Sequence, residues 1–260
     1  MTFKAVIFDI GGVCVGSPMA GIRLYEERYG LPTNYINVAI TQQGEQGAFQ
    51  KLERGEIKLH DFYIAFGDQL SNPSNKQHYL NYLEKTGKPA PSFIPDVVIN
   101  GKDLFTTMMK ETQRLDQKVF TAIRKLRESG QFRVAALTNN FELPEDDLKE
   151  TEELGGKVPE TLKKMFELFI ESRLVGLRQV LYYERKPDPK FYLHACKLLN
   201  VNPTECIFLD DIGMNLSSAK KLGMATIQVK IGKSEEAIQQ LEALVGLDLH
   251  SAVLRNEEEG

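Results

Sequence analysis

Three short segments of this chain end an apolar run with polar side chains, and a fourth places a lysine in a proline-bounded loop at the start of a predicted helix. The segments are "KAVIFDIGG", "VAALTNN", "RKPDP" and "CIFLDD", and their polar residues of interest are Asp9, Thr138, Asn139, Lys186, Asp210 and Asp211. Taken singly, such residues are typical of turns, helix caps or solvated loops. Together they supply three carboxylates, a hydroxyl, an amide and an ammonium group, a set that can bind a cation and an anionic substrate.

The three carboxylates would repel one another strongly if they met at one site without a positive charge. Because the candidate ligands are oxygens and no cysteine or histidine cluster accompanies them, they favour a hard cation, above all Mg²⁺. A lysine and a threonine hydroxyl beside such an ion suit a phosphate group, whose charge the metal and the lysine would neutralise. Asp9 can then also be a nucleophile that forms an aspartyl-phosphate, which water hydrolyses.

Five apolar runs predict the strands that position these residues. The runs are residues 3–9, "FRVAALTNN", "LFIESRLVG", "ECIFLDD" and "ATIQVK". Amphipathic segments such as "QKVFTAIRKLRE" separate the later runs, and strands that alternate with helices are typical of a doubly wound, parallel α/β sheet of Rossmann-like type. Ligands of such sheets bind beyond the carboxyl ends of the strands, which is where the polar residues fall.

Residues from about 19 to 115 predict a helical subdomain, because their apolar residues recur at helical spacing and no strong strand signal occurs. The same spacing favours a core rather than a substrate pocket for its aromatic residues Phe49, Phe62, Tyr63 and Phe66. Two segments, 142–164 and 178–184, fit neither pattern and are expected to be insertions that border the mouth of the sheet. We expect 142–164 to be a charged surface excursion.

Composition excludes several classes of function. The chain has 260 residues and a formal net charge of −4, so no general attraction to nucleic acid or to anionic membranes is expected. Its three cysteines, Cys14, Cys196 and Cys206, form no close-spaced pair, as is typical of reduced intracellular thiols. No signal peptide or membrane span is recognisable, which favours a cytoplasmic protein with a small phosphorylated molecule as its partner. The oligomeric state stays open.

The four segments resemble the four motifs of the haloacid dehalogenase superfamily. "FDIGGV" is similar to its first motif, "LTNN" to its second, "RKPDP" to its third and "FLDDIGMNL" to its fourth. The resemblance covers nearly the whole chain apart from the two insertions. Within the superfamily, the chain is most similar to the N-terminal phosphatase domains of soluble epoxide hydrolases and to the related N-terminal domains of certain acyl-CoA dehydrogenase family members.

The resemblance implies a fold and a set of roles. It implies a helical cap at residues 15–115, inserted into an α/β core made of residues 1–14 and 116–260, and a cap of this kind supplies substrate specificity. Asp9 is implied to be the nucleophile and also a Mg²⁺ ligand, together with Asp211 and the Gly11 carbonyl. Asp210 is implied to orient Lys186, and Thr138 and Asn139 to bind the phosphoryl oxygens. Asn215 is implied to support the metal site.

Gly11 departs from the family pattern, in which a second aspartate stands two residues after the nucleophile. That aspartate protonates the leaving alcohol and later activates water, and the loss of such a group costs about 10²–10⁴ in rate. We therefore expect a slow or selective phosphatase for substrates with good leaving groups, such as acyl or anomeric phosphates. Candidates to replace the missing acid are Glu45, His60, Tyr182 and Tyr183.

Three readings of function remain at this point. "LERGEIKLHDF" is similar to a cap segment of the epoxide-hydrolase relatives, which implies an organic monophosphate with an apolar body such as a lipid or prenyl phosphate. The second reading is a catalytically impaired protein that binds phosphate or regulates a partner. The third is a metal-independent dehalogenase in which Asp9 attacks carbon, although the paired acids of "LDD" count against it.

Overall fold

A single parallel sheet forms the centre of the computed structural model, which describes residues 2–144, 147–156, 158–172 and 185–250. Its strands, β1 to β5 in chain order, lie in the spatial order β3-β2-β1-β4-β5, and each is parallel to its neighbours. They span Ala5–Phe8 (β1), Arg133–Thr138 (β2), Leu168–Glu171 (β3), Cys206–Asp210 (β4) and Ala225–Gln228 (β5). The predicted Rossmann-like α/β sheet is confirmed.

The central position of β1 follows from its sequence. All four of its residues are apolar and at most 1% exposed, as expected for a strand that is covered on both faces. Phe8, its last residue, pairs with Ala136 of β2 and with Leu209 of β4. The carboxyl ends of these three strands therefore lie side by side at one edge of the sheet.

Helices surround the sheet and fill the segment between β1 and β2. In the described residues they are α1 (Pro18–Tyr29), α2 (Tyr35–Gln42), α3 (Ala48–Glu53), α4 (Leu59–Ser71), α5 (Ser74–Lys85), α6 (Gly101–Glu111), α7 (Gln117–Glu128), α8 (Leu148–Glu153), α9 (Glu160–Lys163), α10 (Pro189–Leu199), α11 (Gly213–Lys221) and α12 (Ser234–Val245). Among these helices, none has both the length and the apolar character that crossing a lipid bilayer requires.

Two apolar layers enclose the sheet, one on each face. Residues of α7 and α12, including Ile123 and Ile238, form one cluster with Val6 and Phe8 of β1. Residues of α10 and α11 form the other cluster with the alternate residues of β1, such as Ile7. Successive residues of a strand point to opposite faces, so this division is what a doubly wound sheet requires.

Helices α1–α6 pack around an aromatic cluster of their own. The ring centroid of Phe62 lies 4.8 Å from those of both Phe66 and Phe105, and all three rings are at most 1% exposed. Phe49 packs at the margin of this cluster and is only partly buried. The prediction that the helical spacing of these aromatic residues marks a core is therefore confirmed for Phe62, Tyr63 and Phe66.

The expectation that 142–164 is a solvated excursion is wrong for two of its leucines, although Leu148 is 73% exposed, as expected. Leu154, just after α8, is 4% exposed and belongs to the aromatic cluster of α1–α6. Leu162 in α9 is 5% exposed and belongs to the cluster of α7 and α12. Burial of a leucine side chain lowers the free energy of the folded state, even within a charged segment. These two leucines therefore anchor the segment to the helices α1–α6 and to the cluster of α7 and α12. The second insertion, 178–184, lies outside the described residues.

Candidate active site

The structure brings the predicted charged residues together at the carboxyl edge of the sheet. Lys186 Nζ lies 2.7 Å from Asp9 Oδ1 and 2.8 Å from Asp210 Oδ2. One carboxylate oxygen from each of Asp9, Asp210 and Asp211 lies within 4.8 Å of the others. Asp9 is 6% exposed, Lys186 is 1% exposed and Asp210 is fully buried. The four residues therefore form one compact, mostly buried group, which we call the carboxylate cluster.

Strand ends and backbone hydrogen bonds hold Asp9 and Asp210 in place. The Asp9 N–H donates to the Leu209 carbonyl at 2.9 Å, so the ladder between β1 and β4 continues to the first residue of the cluster. The Asp9 carboxylate accepts a hydrogen bond from the Ile10 N–H at 2.7 Å. Asp210 accepts from the Ile212 N–H at 2.7 Å and from Asn215 Nδ2 at 3.0 and 3.1 Å. Asn215 thus supports Asp210 directly.

Asp211 is positioned by two residues that the sequence analysis does not single out. Ser17 Oγ donates to Asp211 Oδ2 at 2.7 Å, and Ser17 also caps α1 by accepting from the Met19 N–H. Gly12 has a φ of +78°, and a Cβ there would lie 2.0 Å from Asp211 Oδ2. A side chain at Gly12 would displace Asp211. The Ser-Pro pair that opens α1 is a helix-start signal, but it does not reveal the partner.

Asn139 contacts the backbone of Lys186 through its side chain. Asn139 Oδ1 accepts from the Lys186 N–H at 2.8 Å, and Asn139 Nδ2 donates to the Lys186 carbonyl at 3.0 Å. Both ends of the amide are thereby used to orient the residue whose ammonium group enters the carboxylate cluster. A phosphoryl contact from Asn139 would therefore come from its backbone N–H. Thr138, at the end of β2, is 7% exposed, and its hydroxyl donates to the Asn139 carbonyl at 3.2 Å.

The electrostatics of the cluster are dominated by burial. Burial raises the pKa of Asp9, an effect that Lys186 opposes and that Asp210 and Asp211 increase. Burial also raises the pKa of Asp211 to about 6, although the hydrogen bond from Ser17 works in the other direction. Burial alone would lower the pKa of Lys186, but Asp210 and Asp9 together outweigh it and leave that pKa raised. With all three acids ionised, the one ammonium group would leave the cluster with an excess of negative charge, and the raised pKa values of Asp9 and Asp211 include this repulsion between the acids.

This excess charge and the donor set fit a hard divalent cation. The candidate donors are carboxylate oxygens held within a few ångströms of one another, and no thiol or imidazole lies among the clustered ligand groups of the described residues. Mg²⁺ prefers such oxygen ligands, and its charge would compensate the two carboxylates that Lys186 does not. Cys14, the nearest thiol in sequence, donates to the Asp9 carbonyl at 3.2 Å, and burial raises its pKa, so it stays protonated.

Gly11 is not required at its position by steric crowding. A Cβ at Gly11 would meet only Pro18 side-chain carbons, at 3.6 Å and beyond, which is an ordinary van der Waals contact. Among the candidates to replace the missing acid, Glu45 has a 72% exposed side chain and is paired with Arg54 and Arg185. His60 is exposed on α4. Tyr182 and Tyr183 lie outside the described residues.

The chain is similar in sequence to known hydrolases over most of its length. A family model for haloacid dehalogenase-like hydrolases matches residues 3–223. The chain is 32% identical over 253 residues to acyl-CoA dehydrogenase family member 10 of Mus musculus. The aligned region covers 97% of this chain and 20% of that protein. It is 27% identical to bifunctional epoxide hydrolase 2 of Sus scrofa, covering 96% of this chain and 40% of that protein. The chain thus spans well under half the length of these two relatives.

Other similar proteins match along their whole length. A sesquiterpene phosphatase of Aspergillus oryzae is 25% identical, with 94% of this chain and 98% of that protein covered. Among solved structures, a HAD-like family hydrolase from Porphyromonas gingivalis has a TM-score of 0.54 at 20% identity, covering 93% of this chain and 98% of that one. At this level of identity the structural likeness shows the fold alone.

Proposed function

Because the chain belongs to the haloacid dehalogenase-like hydrolases, we propose that it is a magnesium-dependent phosphatase for a small organic phosphate. The observation that carries the proposal is the carboxylate cluster, in which the buried Asp9 and Asp210 both contact the Lys186 ammonium group and the partly buried Asp211 lies beside them. Hydrolysis through an aspartyl-phosphate needs a nucleophile, a cation that binds the phosphate, and ligands for a divalent metal ion. The sesquiterpene phosphatase of similar length supports the same reaction class.

We assign Asp9, Asp211 and the Gly11 carbonyl as the residues that would hold Mg²⁺. When bound there, the ion would neutralise charge on the phosphoryl oxygens and on the nucleophile. Ser17 and Gly12 determine where the Asp211 carboxylate lies, because the first donates to it and the second leaves room for it. Asp210, whose carboxylate is saturated by Lys186, Asn215 and the Ile212 N–H, is assigned to orientation rather than to the metal.

In the proposed reaction, a carboxylate oxygen of Asp9 attacks phosphorus while the bond from phosphorus to the ester oxygen breaks. Lys186, which already contacts Asp9, is placed to neutralise the phosphoryl oxygens as the charge moves to the leaving group. Thr138 and the Asn139 N–H, at the end of the neighbouring strand, would bind further phosphoryl oxygens. Water then hydrolyses the aspartyl-phosphate and releases inorganic phosphate, which restores the Asp9 carboxylate.

The site lacks the acid that would protonate the leaving group, because position 11 is a glycine. A poor leaving group such as a simple alkoxide needs a proton as it departs. We therefore propose substrates whose leaving groups are more stable as anions than a simple alkoxide, such as acyl or anomeric phosphates. Prenyl phosphates would release an ordinary alkoxide in this reaction, and they are supported instead by the similarity of "LERGEIKLHDF" to a cap segment of the epoxide-hydrolase relatives. We also propose that residues 15–115 form the cap that selects the substrate, with the partly buried ring of Phe49 as a candidate contact for an apolar body.

A second candidate is a phosphate-binding protein without turnover, which Gly11 favours. A binding protein of this kind would bind Mg²⁺ and phosphate as the phosphatase does, but it would release no product. Metal-independent dehalogenation is less well supported, because the single ammonium group of Lys186 would then have to balance the clustered acids Asp9, Asp210 and Asp211.

A panel of phosphates, assayed with and without Mg²⁺, tests the proposal. It would include p-nitrophenyl phosphate, acetyl phosphate, sugar phosphates and prenyl phosphates, with Asp9→Asn as the inactive control. We expect magnesium-dependent release of phosphate from the activated substrates. Tight binding of phosphate without release from any of them would favour the binding protein, and halide release without metal would favour the dehalogenase.

A further inference from the structure

Arg185, next to Lys186 in the chain, joins the carboxylate cluster to the helical region. Its guanidinium group donates to Glu53 Oε2 at 2.9 Å and to both carboxylate oxygens of Glu45 at 3.1 and 3.2 Å. Glu53 is the last residue of α3, and Glu45 lies in the short 3₁₀ helix before it. Two acids of the helical region therefore hold one residue of the loop that carries Lys186.

The pair of Arg185 and Glu53 differs from a surface ion pair. Their side chains are only 11% and 15% exposed. Burial raises the pKa of Glu53, and Arg185 opposes this effect most strongly, with Asn139 and Lys186 acting in the same direction. Removal of one partner from such a pair leaves a charge in a dry environment, and the remaining residues must rearrange. Exposed pairs contribute much less because water screens them.

Glu53 and Arg185 both contact the residues that orient Lys186. Arg185 donates to the Lys186 carbonyl at 3.3 Å, the same oxygen that accepts from Asn139. Asn139 Nδ2 also approaches Glu53 Oε1 at 3.4 Å, a long contact. The peptide group of Lys186 is thus held by Asn139 from the sheet and by Arg185, which in turn depends on the helical region.

We propose that Glu53 is a positioning residue that acts through Arg185 and Asn139 to hold the Lys186 backbone. Lys186 Nζ bridges Asp9 and Asp210 only while its backbone stays where these contacts place it. The position of Glu53 at the end of α3 is thereby coupled to the position of the ammonium group beside the nucleophile. The catalytic consequence of this inference rests on the proposed function, whereas the structural coupling does not.

Two measurements on Glu53→Gln test the coupling separately from turnover. Hydrogen exchange of the peptide that contains residues 185–190 reports on the Lys186 N–H, which donates to Asn139 Oδ1. We expect at least severalfold faster exchange there in Glu53→Gln. In the phosphatase assay we expect kcat to fall by about tenfold with a smaller change in KM, since small misplacement of a catalytic group can cost up to ~10² in rate.

Glu27→Gln is the control, because Glu27 also lies in the helical region and pairs with Arg23 of the same helix rather than with Arg185 or Glu45. It should change neither the exchange nor kcat. The variant Arg185→Gln and the double variant Glu53→Gln/Arg185→Gln complete a double-mutant cycle. If the two residues act as one unit, the loss of kcat in the double variant should be smaller than the sum of the two single losses, each expressed as activation free energy. Folded fraction, measured by circular dichroism, corrects every rate.

The outcomes separate the inference from the proposed function. Faster exchange in Glu53→Gln, in a chain that hydrolyses no phosphate, would support the coupling and overturn the phosphatase. Unchanged exchange and unchanged kcat in a folded, active Glu53→Gln would overturn the coupling and leave the phosphatase standing. A loss of activity that matches the loss of folded protein, with unchanged exchange, would show that Glu53 is merely structural and would also overturn the coupling.

Discussion

Two regions of this molecule bury carboxylates, and they treat the charge differently. In the helical region, Glu26 of α1 is 1% exposed and accepts hydrogen bonds from the Asn34 and Ile36 N–H groups at 2.9 and 2.8 Å. These donors lie at the start of α2, where the helix dipole also favours a negative charge. At the edge of the sheet, Asp9 and Asp210 both contact Lys186, and Asp211 lies beside them without a contact of this kind.

The difference shows that a buried acid does not by itself indicate a functional site. Glu26 is satisfied by backbone donors from its own region, so its role is to hold the start of α2. The carboxylate cluster keeps a surplus of negative charge that described residues do not neutralise, although Lys186 and the hydrogen bonds satisfy much of it. Uncompensated charge, more than burial, is what favours a ligand at the cluster.

The largest expected effect comes from removal of the nucleophile. Asp9→Asn should lower kcat on p-nitrophenyl phosphate by at least ~10³, because no other described acid occupies its place. Glu26→Gln, which changes a buried acid of the other region, should leave kcat within about twofold once corrected for folded protein. Steady-state assays with saturating Mg²⁺ check both, and equal losses in the two variants would contradict the distinction between the regions.

Adding a fourth acid to the cluster should have the next largest effect. Gly11→Asp restores a group that can protonate a leaving alkoxide, and the space beside Pro18 accepts a Cβ. We expect a gain of roughly 10² on simple alkyl phosphates and little change on acetyl phosphate, whose leaving group needs no proton. Gly11→Asn is the control of similar size without an acid. An equal gain in both variants would show that proton transfer is not the missing function.

Magnesium should stabilise the fold through the cluster alone. At a concentration of 100 times its Kd, Mg²⁺ should add about 2.7 kcal/mol to the free energy of unfolding, which corresponds to a rise in Tm of roughly 5–10 °C. Asp211→Asn should abolish this rise, and Glu26→Gln should preserve it. Thermal unfolding followed by circular dichroism, with chelator as reference, measures the shift. Retention of the full shift in Asp211→Asn would remove Asp211 from the ligand set.

The smallest expected effect is a change in the pH dependence of stability. Burial raises the pKa of Glu26 from 4.5 to about 7, against the hydrogen bonds from Ile36 and Asn34. Between these values the folded chain binds more protons than the unfolded chain, so this group makes the free energy of unfolding fall as the pH rises. In Glu26→Gln the fall should be shallower by at most about 1.4 kcal/mol per pH unit.

Denaturant titrations of both proteins at several pH values in chelator check this slope. Chelator keeps the titration of Asp9 and Asp211 the same in the two proteins, so the difference isolates Glu26. Identical slopes would mean that the pKa of Glu26 in the fold stays near its ordinary value of 4.5, and that its two N–H donors offset its burial.

Much of the fold and of the cluster was predictable because it depends on local patterns. The unbroken apolar run of β1 predicts a strand covered on both faces, and the position of Asp9 after it follows. The helical spacing of Phe62 and Phe66 likewise predicts their burial. Leu154 and Leu162 were not predictable as anchors, because the glycines and prolines of their charged segment interrupt the helical spacing of its apolar residues.

The sequence by itself determined which residue types stand at the strand ends, since apolar runs and the polar residues after them are properties of neighbouring positions. Tertiary structure alone decided which of those groups support one another. Ser17 and Asp211 are 194 residues apart, Asn139 and Lys186 are 47 apart, and Glu53 and Arg185 are 132 apart. Local periodicity carries no information over such separations, because the pairing depends on how the sheet and the helices pack.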